Sequence, residues 1–97
     1  MDIINAIAKV RFNSARPQRV QLARCDEYVC DLLCLEPGQE LSATGECAYY
    51  VVTGSGKARV KGESQDIALG HFVQCGEGES HTILNSSEQR LICLSVS

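Results

Sequence analysis

Turn residues interrupt this chain roughly every 8 to 12 positions, and that spacing limits what it can fold into more than any other feature. Asp26-Glu27, Glu36-Pro37-Gly38-Gln39, Gly54-Ser55-Gly56, Gly62-Glu63 and Gly76-Glu77-Gly78-Glu79-Ser80 stand between short runs that alternate or are rich in β-branched and aromatic residues. Proline fixes φ, and glycine permits the backbone angles that tight reversals need. The runs Gln18 to Arg24, Tyr28 to Leu35, Cys47 to Thr53, Lys57 to Lys61, Gln65 to Leu69, His71 to Cys75, His81 to Leu84 and Gln89 to Val96 therefore read as strands. Gly54-Ser55-Gly56 is expected to close a hairpin from Cys47–Thr53 onto Lys57–Lys61. Leu41 to Glu46 reads as irregular.

Helix has little room. Asp2 is a candidate cap for one short N-terminal helix with Ile3, Ile7 and Val10 on one side, a strand being the alternative. Arg11 to Pro17, RFNSARP, is polar and reads as a loop. The expectation is an all-β chain, a sandwich or jelly-roll barrel in which residues 1–17 form an arm and 18–97 one barrel domain. Ninety-seven residues suit one domain with one modest core.

Composition excludes several functions. Hydrophobic residues make up 44% of the chain and charged ones 22%, with a net charge of −3, values ordinary for a globular protein. Arg11, Arg16, Arg19 and Arg24 form only a loose group, so a nucleic-acid partner is not expected. No apolar run approaches the roughly 20 residues that span a bilayer, and MDIINAIAKV has neither the basic nor the apolar region of a secretion signal, so a cytoplasmic protein without a membrane partner is expected. In that compartment Cys25, Cys30, Cys34, Cys47, Cys75 and Cys93 should be reduced. No C-x-x-C or Cys-His-Asn signature marks a reactive one, and inert thiols are the expectation.

Asp31 is the one charge in the otherwise apolar run YVCDLLCL. An unpaired buried carboxylate is costly, so it belongs either at the rim with water or an arginine, or in a pocket.

The segment Gly70 to Asn85, GHFVQCGEGESHTILN, holds the richest pattern: Gly70, five residues, Gly76, one residue, Gly78, two residues, His81, three residues, Asn85. It resembles the second signature of the cupin superfamily, G(X)5PXG(X)2H(X)3N, with Gly76 in place of proline. Tyr49 to Gly54, YYVVTG, resembles the back half of the first cupin signature, G(X)5HXH(X)3-4E(X)6G. The resemblance covers roughly Tyr28 to Val96 and implies a double-stranded β-helix, a jelly-roll barrel, with His81 projecting into it. It also implies a homodimer.

The departures bear on function. Counted from Gly38, the two histidine positions fall on Thr44 and Glu46; counted back from Gly54, the glutamate position falls on Cys47. The H-x-H pair is missing, and the one other histidine, His71, directly follows Gly70. A metal-free barrel is the expectation, with a divalent metal (zinc, iron, manganese or nickel) on His81, Cys47 and Glu46 as the alternative. Three functions follow: a binding module whose pocket, built by His81, Cys47, Tyr49 and Glu46, holds a small polar or acidic ligand; a metal-dependent isomerase, dioxygenase or decarboxylase using His81 with Glu46 or Cys47; or a regulatory or structural homodimeric subunit. Of Tyr49 and Tyr50, adjacent in a strand, one should line the barrel and the other face out.

Overall fold

Side chains alternate along every strand, and in this chain the alternation is resolved by two antiparallel sheets facing each other. A computed structural model describes residues 1–97. It contains β1 (Gln18–Arg24), β2 (Val29–Leu35), β3 (Glu40–Thr44), β4 (Cys47–Thr53), β5 (Ser55–Val60), β6 (Glu63–Ala68), β7 (Phe72–Cys75), β8 (Ser80–Leu84) and β9 (Leu91–Val96). One sheet has the order β1-β2-β9-β4-β7 and the other β3-β8-β5-β6. The all-β expectation holds.

Between the sheets lies one core. Leu33, Leu35, Tyr49, Val51, Leu91 and Cys93 point into it from the five-stranded sheet, and Ala58, Ile67 and Ile83 from the four-stranded one. A second, smaller cluster, Leu32, Cys34 and Ile92, sits on the outer face of the five-stranded sheet. Ala6, Val10 and Phe12 cover it from the N-terminal segment, together with Val20 and Leu22 of β1. This arrangement explains why YVCDLLCL is apolar in both parities: β2 runs between β1 and β9 with the barrel on one side and the arm on the other.

Four expectations are corrected. The start of the arm is a single 3-10 turn, Ala6–Lys9, capped by Asn5 rather than Asp2, because the Asn5 side chain accepts from the amides of Ile7 and Ala8. Ile3 and Ile7 are exposed, so they do not form a buried side with Val10. Leu41 to Glu46 is not irregular; Glu40–Thr44 pairs with β8, and its outward hydroxyls bond across the ladder, Ser42 to Thr82 at 2.7 Å and Thr44 to Ser80 at 2.9 Å. An edge strand with one face in water needs few apolar residues, which is why its pattern is faint.

The last correction concerns Gly54-Ser55-Gly56. β4 and β5 lie in different sheets, so this is a corner and not a hairpin. Gly54 takes φ +91, and a Cβ there or at Gly56 would collide with the carbonyl oxygens of Arg90 and Leu84 respectively. Only glycine lets the chain change sheets so close to its neighbours.

Asn85 fastens the closed end of the barrel. It is fully buried, and its Nδ2 donates to the carbonyls of Leu35 (2.9 Å) and Gln89 (2.8 Å). Its Oδ1 accepts from the amide (3.1 Å) and hydroxyl (2.9 Å) of Ser87. All its hydrogen-bonding capacity is used to join the ends of β8 and β2 to the loop before β9. Asn85→Ala should cost about 2 kcal/mol, because the buried Leu35 carbonyl is left without its donor. A urea-unfolding midpoint unchanged from wild type would contradict this role.

Candidate functional site

The open end of the barrel is polar, and the register shows how. Asp31 lies opposite Ser95, and Ser95 opposite Tyr49, so these three side chains make a row across the inner face of the five-stranded sheet. Cys47, two residues before Tyr49, shares its face one step nearer the mouth. From the other sheet comes His81 of β8, held between Ala43 and Val60 on the flanking strands. His81 is buried there, with only 4% of the residue exposed.

His81 bridges the two sheets. Its Nε2 lies 2.6 Å from the Tyr49 hydroxyl and 3.3 Å from Cys47 Sγ, and its Nδ1 lies 3.2 Å from the Glu79 carbonyl oxygen. A carbonyl can only accept, so Nδ1 carries a proton and donates it there. In the neutral ring Nε2 is then the acceptor, and the Tyr49 O–H, being nearer, donates to it. The two rings meet edge to face, 5.3 Å between centroids at 70°. Burial first, and then the neighbouring Cys47 thiol, push the Tyr49 phenol above the ordinary tyrosine value, while Arg19 opposes the shift.

Asp31 is buried on this inner face, and Arg19 pairs with it, Nη1 to Oδ2 at 3.0 Å. Both alternatives weighed for this carboxylate are thus partly realised: it has an arginine partner, and it lies within the barrel. Arg19, Glu46, Cys47, Tyr49, His81 and Ser95 all line one cavity of about 240 Å³. Of the residues proposed from the sequence, Tyr49 and Cys47 contact His81, and Glu46 sits exposed at the rim. Tyr50 faces outward and is 44% exposed. His71 is also outside, its Nδ1 accepting from the Ala68 amide at 2.9 Å.

Arg19 and Ser95 were not found by sequence reasoning. The alternation of β1 makes Val20 and Leu22 its buried side, but they pack on the outer cluster of Leu32, Cys34 and Ile92 that the arm also covers. The opposite parity, which reads as solvent-facing, is the one that points Arg19 toward the mouth.

A metal on His81, Cys47 and Glu46 does not fit this geometry. Nowhere do three His, Cys, Asp or Glu side chains converge closely enough to hold an ion. Cys47 points inward from the start of β4, Glu46 lies exposed in the bend before it, and the lone pair of His81 Nε2 is engaged by Tyr49.

No protein-family model matches the sequence, and no curated protein matches it. Solved structures do match. A protein from Thermus thermophilus superposes with a TM-score of 0.93 at 24% identity, over 99% of this chain and 95% of that one. An uncharacterized conserved protein with a double-stranded β-helix domain from Klebsiella pneumoniae gives 0.91 at 23% identity, over 99% and 88%. A cupin superfamily protein from Desulfitobacterium hafniense gives 0.83 at 14% identity, over 100% and 91%. The chain has the cupin fold. In this barrel His81 is present and inward, and a phenol and a thiol stand beside its Nε2. No helix is long and apolar enough to cross a membrane.

The buried phenol has a thermodynamic consequence. The folded barrel holds the Tyr49 proton, and the Cys93 proton (burial pushes that thiol up to about 12), to higher pH than the unfolded chain does. At alkaline pH the folded state therefore binds more protons, and stability falls as pH rises through and above the ordinary thiol and phenol values of about 8.5 and 10. Urea midpoints measured from pH 7 to 11 should drop at the alkaline end, and Tyr49→Phe should flatten the part above about pH 10. Equal slopes for the two proteins there would remove Tyr49 as the cause.

Proposed function

We propose that this barrel is a small-molecule-binding module that holds a small polar molecule bearing a carboxylate in the mouth cavity, without transforming it. The observation that carries the reading is the convergence of Arg19 with the His81–Tyr49–Cys47 cluster on one cavity. Arginine presents five N–H donors in a planar fork that matches a carboxylate. Asp31 takes one of these positions and orients the guanidinium, and the side chain keeps 38% of its surface open. The cavity of about 240 Å³ has room for roughly eight waters, which favours a molecule of few heavy atoms over a cofactor.

Chemistry is less well supported. The metal-dependent isomerase, dioxygenase and decarboxylase readings need an ion-binding set, and His81, Cys47 and Glu46 do not converge.

A thermal-shift series of short mono- and dicarboxylates, with neutral polyols as controls, tests the proposal. A ligand at about 100 times its dissociation constant adds about 2.7 kcal/mol of stability. For a domain this small that is a rise of roughly 10 °C or more. Arg19→Gln should abolish the rise for every carboxylate. The reading fails if no carboxylate stabilises the protein, or if Arg19→Gln responds as wild type does.

A further inference from the structure

Cys47 and Cys75 lie directly opposite each other on β4 and β7, and both face the barrel interior. Residues opposed in an antiparallel ladder have Cα atoms about 4.5 to 5.5 Å apart, inside the roughly 4.4 to 6.8 Å window of a disulfide. Both thiols are free. They differ in access and in neighbours: Cys47 lines the mouth cavity with His81 Nε2 at 3.3 Å, whereas Cys75 is 1% exposed beneath it. β7 is the edge strand of its sheet, so only one neighbour must follow the adjustment a new bond requires.

We propose that Cys47 and Cys75 form a redox pair, in which Cys47 reacts first with a hydroperoxide entering the mouth and Cys75 then closes a cross-strand disulfide. The pair shares the mouth cavity with the proposed carboxylate contact at Arg19 but does not use that contact, and it stands whether or not a ligand is found there.

The steps balance with hydrogen peroxide as the oxidant. The Cys47 thiol, 3.3 Å from His81 Nε2, takes the place of the Tyr49 hydroxyl as its donor and passes its proton there, and its sulfur attacks one peroxide oxygen. The O–O bond breaks, a sulfenic acid forms on Cys47, and the departing hydroxide takes the imidazole's proton to leave as water. Cys75 sulfur then attacks Cys47 sulfur; the S–O bond breaks, and the Cys75 proton leaves with the hydroxyl as a second water. Two thiols have lost two electrons, and one peroxide has gained them.

The full chain, fully reduced, is exposed to a small excess of hydrogen peroxide, alkylated, and digested without reduction at Lys/Arg and at Glu. Cleavage after Glu46 separates Cys47 from Cys25, Cys30 and Cys34. The expected major product is a Cys47–Cys75 crosslink, with the exposed Cys25 still alkylated. Cys75→Ala should instead accumulate a Cys47 sulfenic acid that a cyclic diketone traps. His81→Gln should slow crosslinking about tenfold while Cys25 alkylation is unchanged. Oxidation confined to Cys25, or a crosslink joining other cysteines, overturns the proposal, and that reading needs no variant. A His81→Gln rate equal to wild type overturns the role given to the imidazole.

Discussion

The parity of β2 and β9 decides everything inside this barrel. These two central strands run antiparallel with Asp31 opposite Ser95, Leu33 opposite Cys93 and Leu35 opposite Leu91, and each of those pairs faces inward. A slip of one residue would put Leu32, Cys34 and Ile92 inside and turn the polar row at the mouth outward. Such a slip has little to gain from burial alone, since both faces of β2 are apolar. What separates the two registers is the polar set. Asp31 finds Arg19 only in the observed register, and Asn85 finds the Leu35 carbonyl only there.

The same duality sets how far the sequence could be read. Strands with one apolar face and clean turn signals, such as Cys47–Thr53 and His81–Leu84, could be recognised from period and composition, and the spacing from Gly70 to Asn85 pointed to the fold. Which sheet each strand joins could not. Gly54 to Gly56 looks like a hairpin because glycines between two strands usually make one; the crowding by the Arg90 and Leu84 carbonyls exists only after β8 and β9 are in place. β3 was hidden for a related reason. Its pairing is carried by backbone and hydroxyls, and Glu40-Leu41-Ser42-Ala43-Thr44 offers only one large apolar residue.

At the site, His81 and its inward orientation followed from the motif, Cys47 from counting back from Gly54 to the glutamate position of the first signature, and alternation required one of Tyr49 and Tyr50 to point inward. Arg19 was out of reach because polarity along a strand does not reveal which covering layer the apolar face meets. Val20 and Leu22 pack on the outer cluster of Leu32, Cys34 and Ile92, which Phe12 and the rest of the arm also cover, an arrangement of segments that no local period encodes. Glu46 illustrates the reverse error: it adjoins Cys47 in sequence, but it belongs to the exposed bend between β3 and β4, where no strand directs its side chain toward His81.

An inward imidazole nitrogen at a barrel mouth must be satisfied by something, since an unpaired buried acceptor costs about as much as the hydrogen bond it lacks. Here the Tyr49 hydroxyl satisfies it, and the Asp31 carboxylate is met by Arg19. No buried side-chain nitrogen or oxygen is left without a partner. The mouth is therefore internally complete before any ligand arrives, and a molecule entering it gains little by displacing Tyr49 from His81 or Asp31 from Arg19. Binding has to come from the capacity still unspent, which is concentrated in the remaining N–H groups of Arg19 and in the polar atoms facing the cavity. The proposed small anion would draw on that capacity, whereas an ion on His81 Nε2 would first have to break one of the hydrogen bonds that join the two sheets.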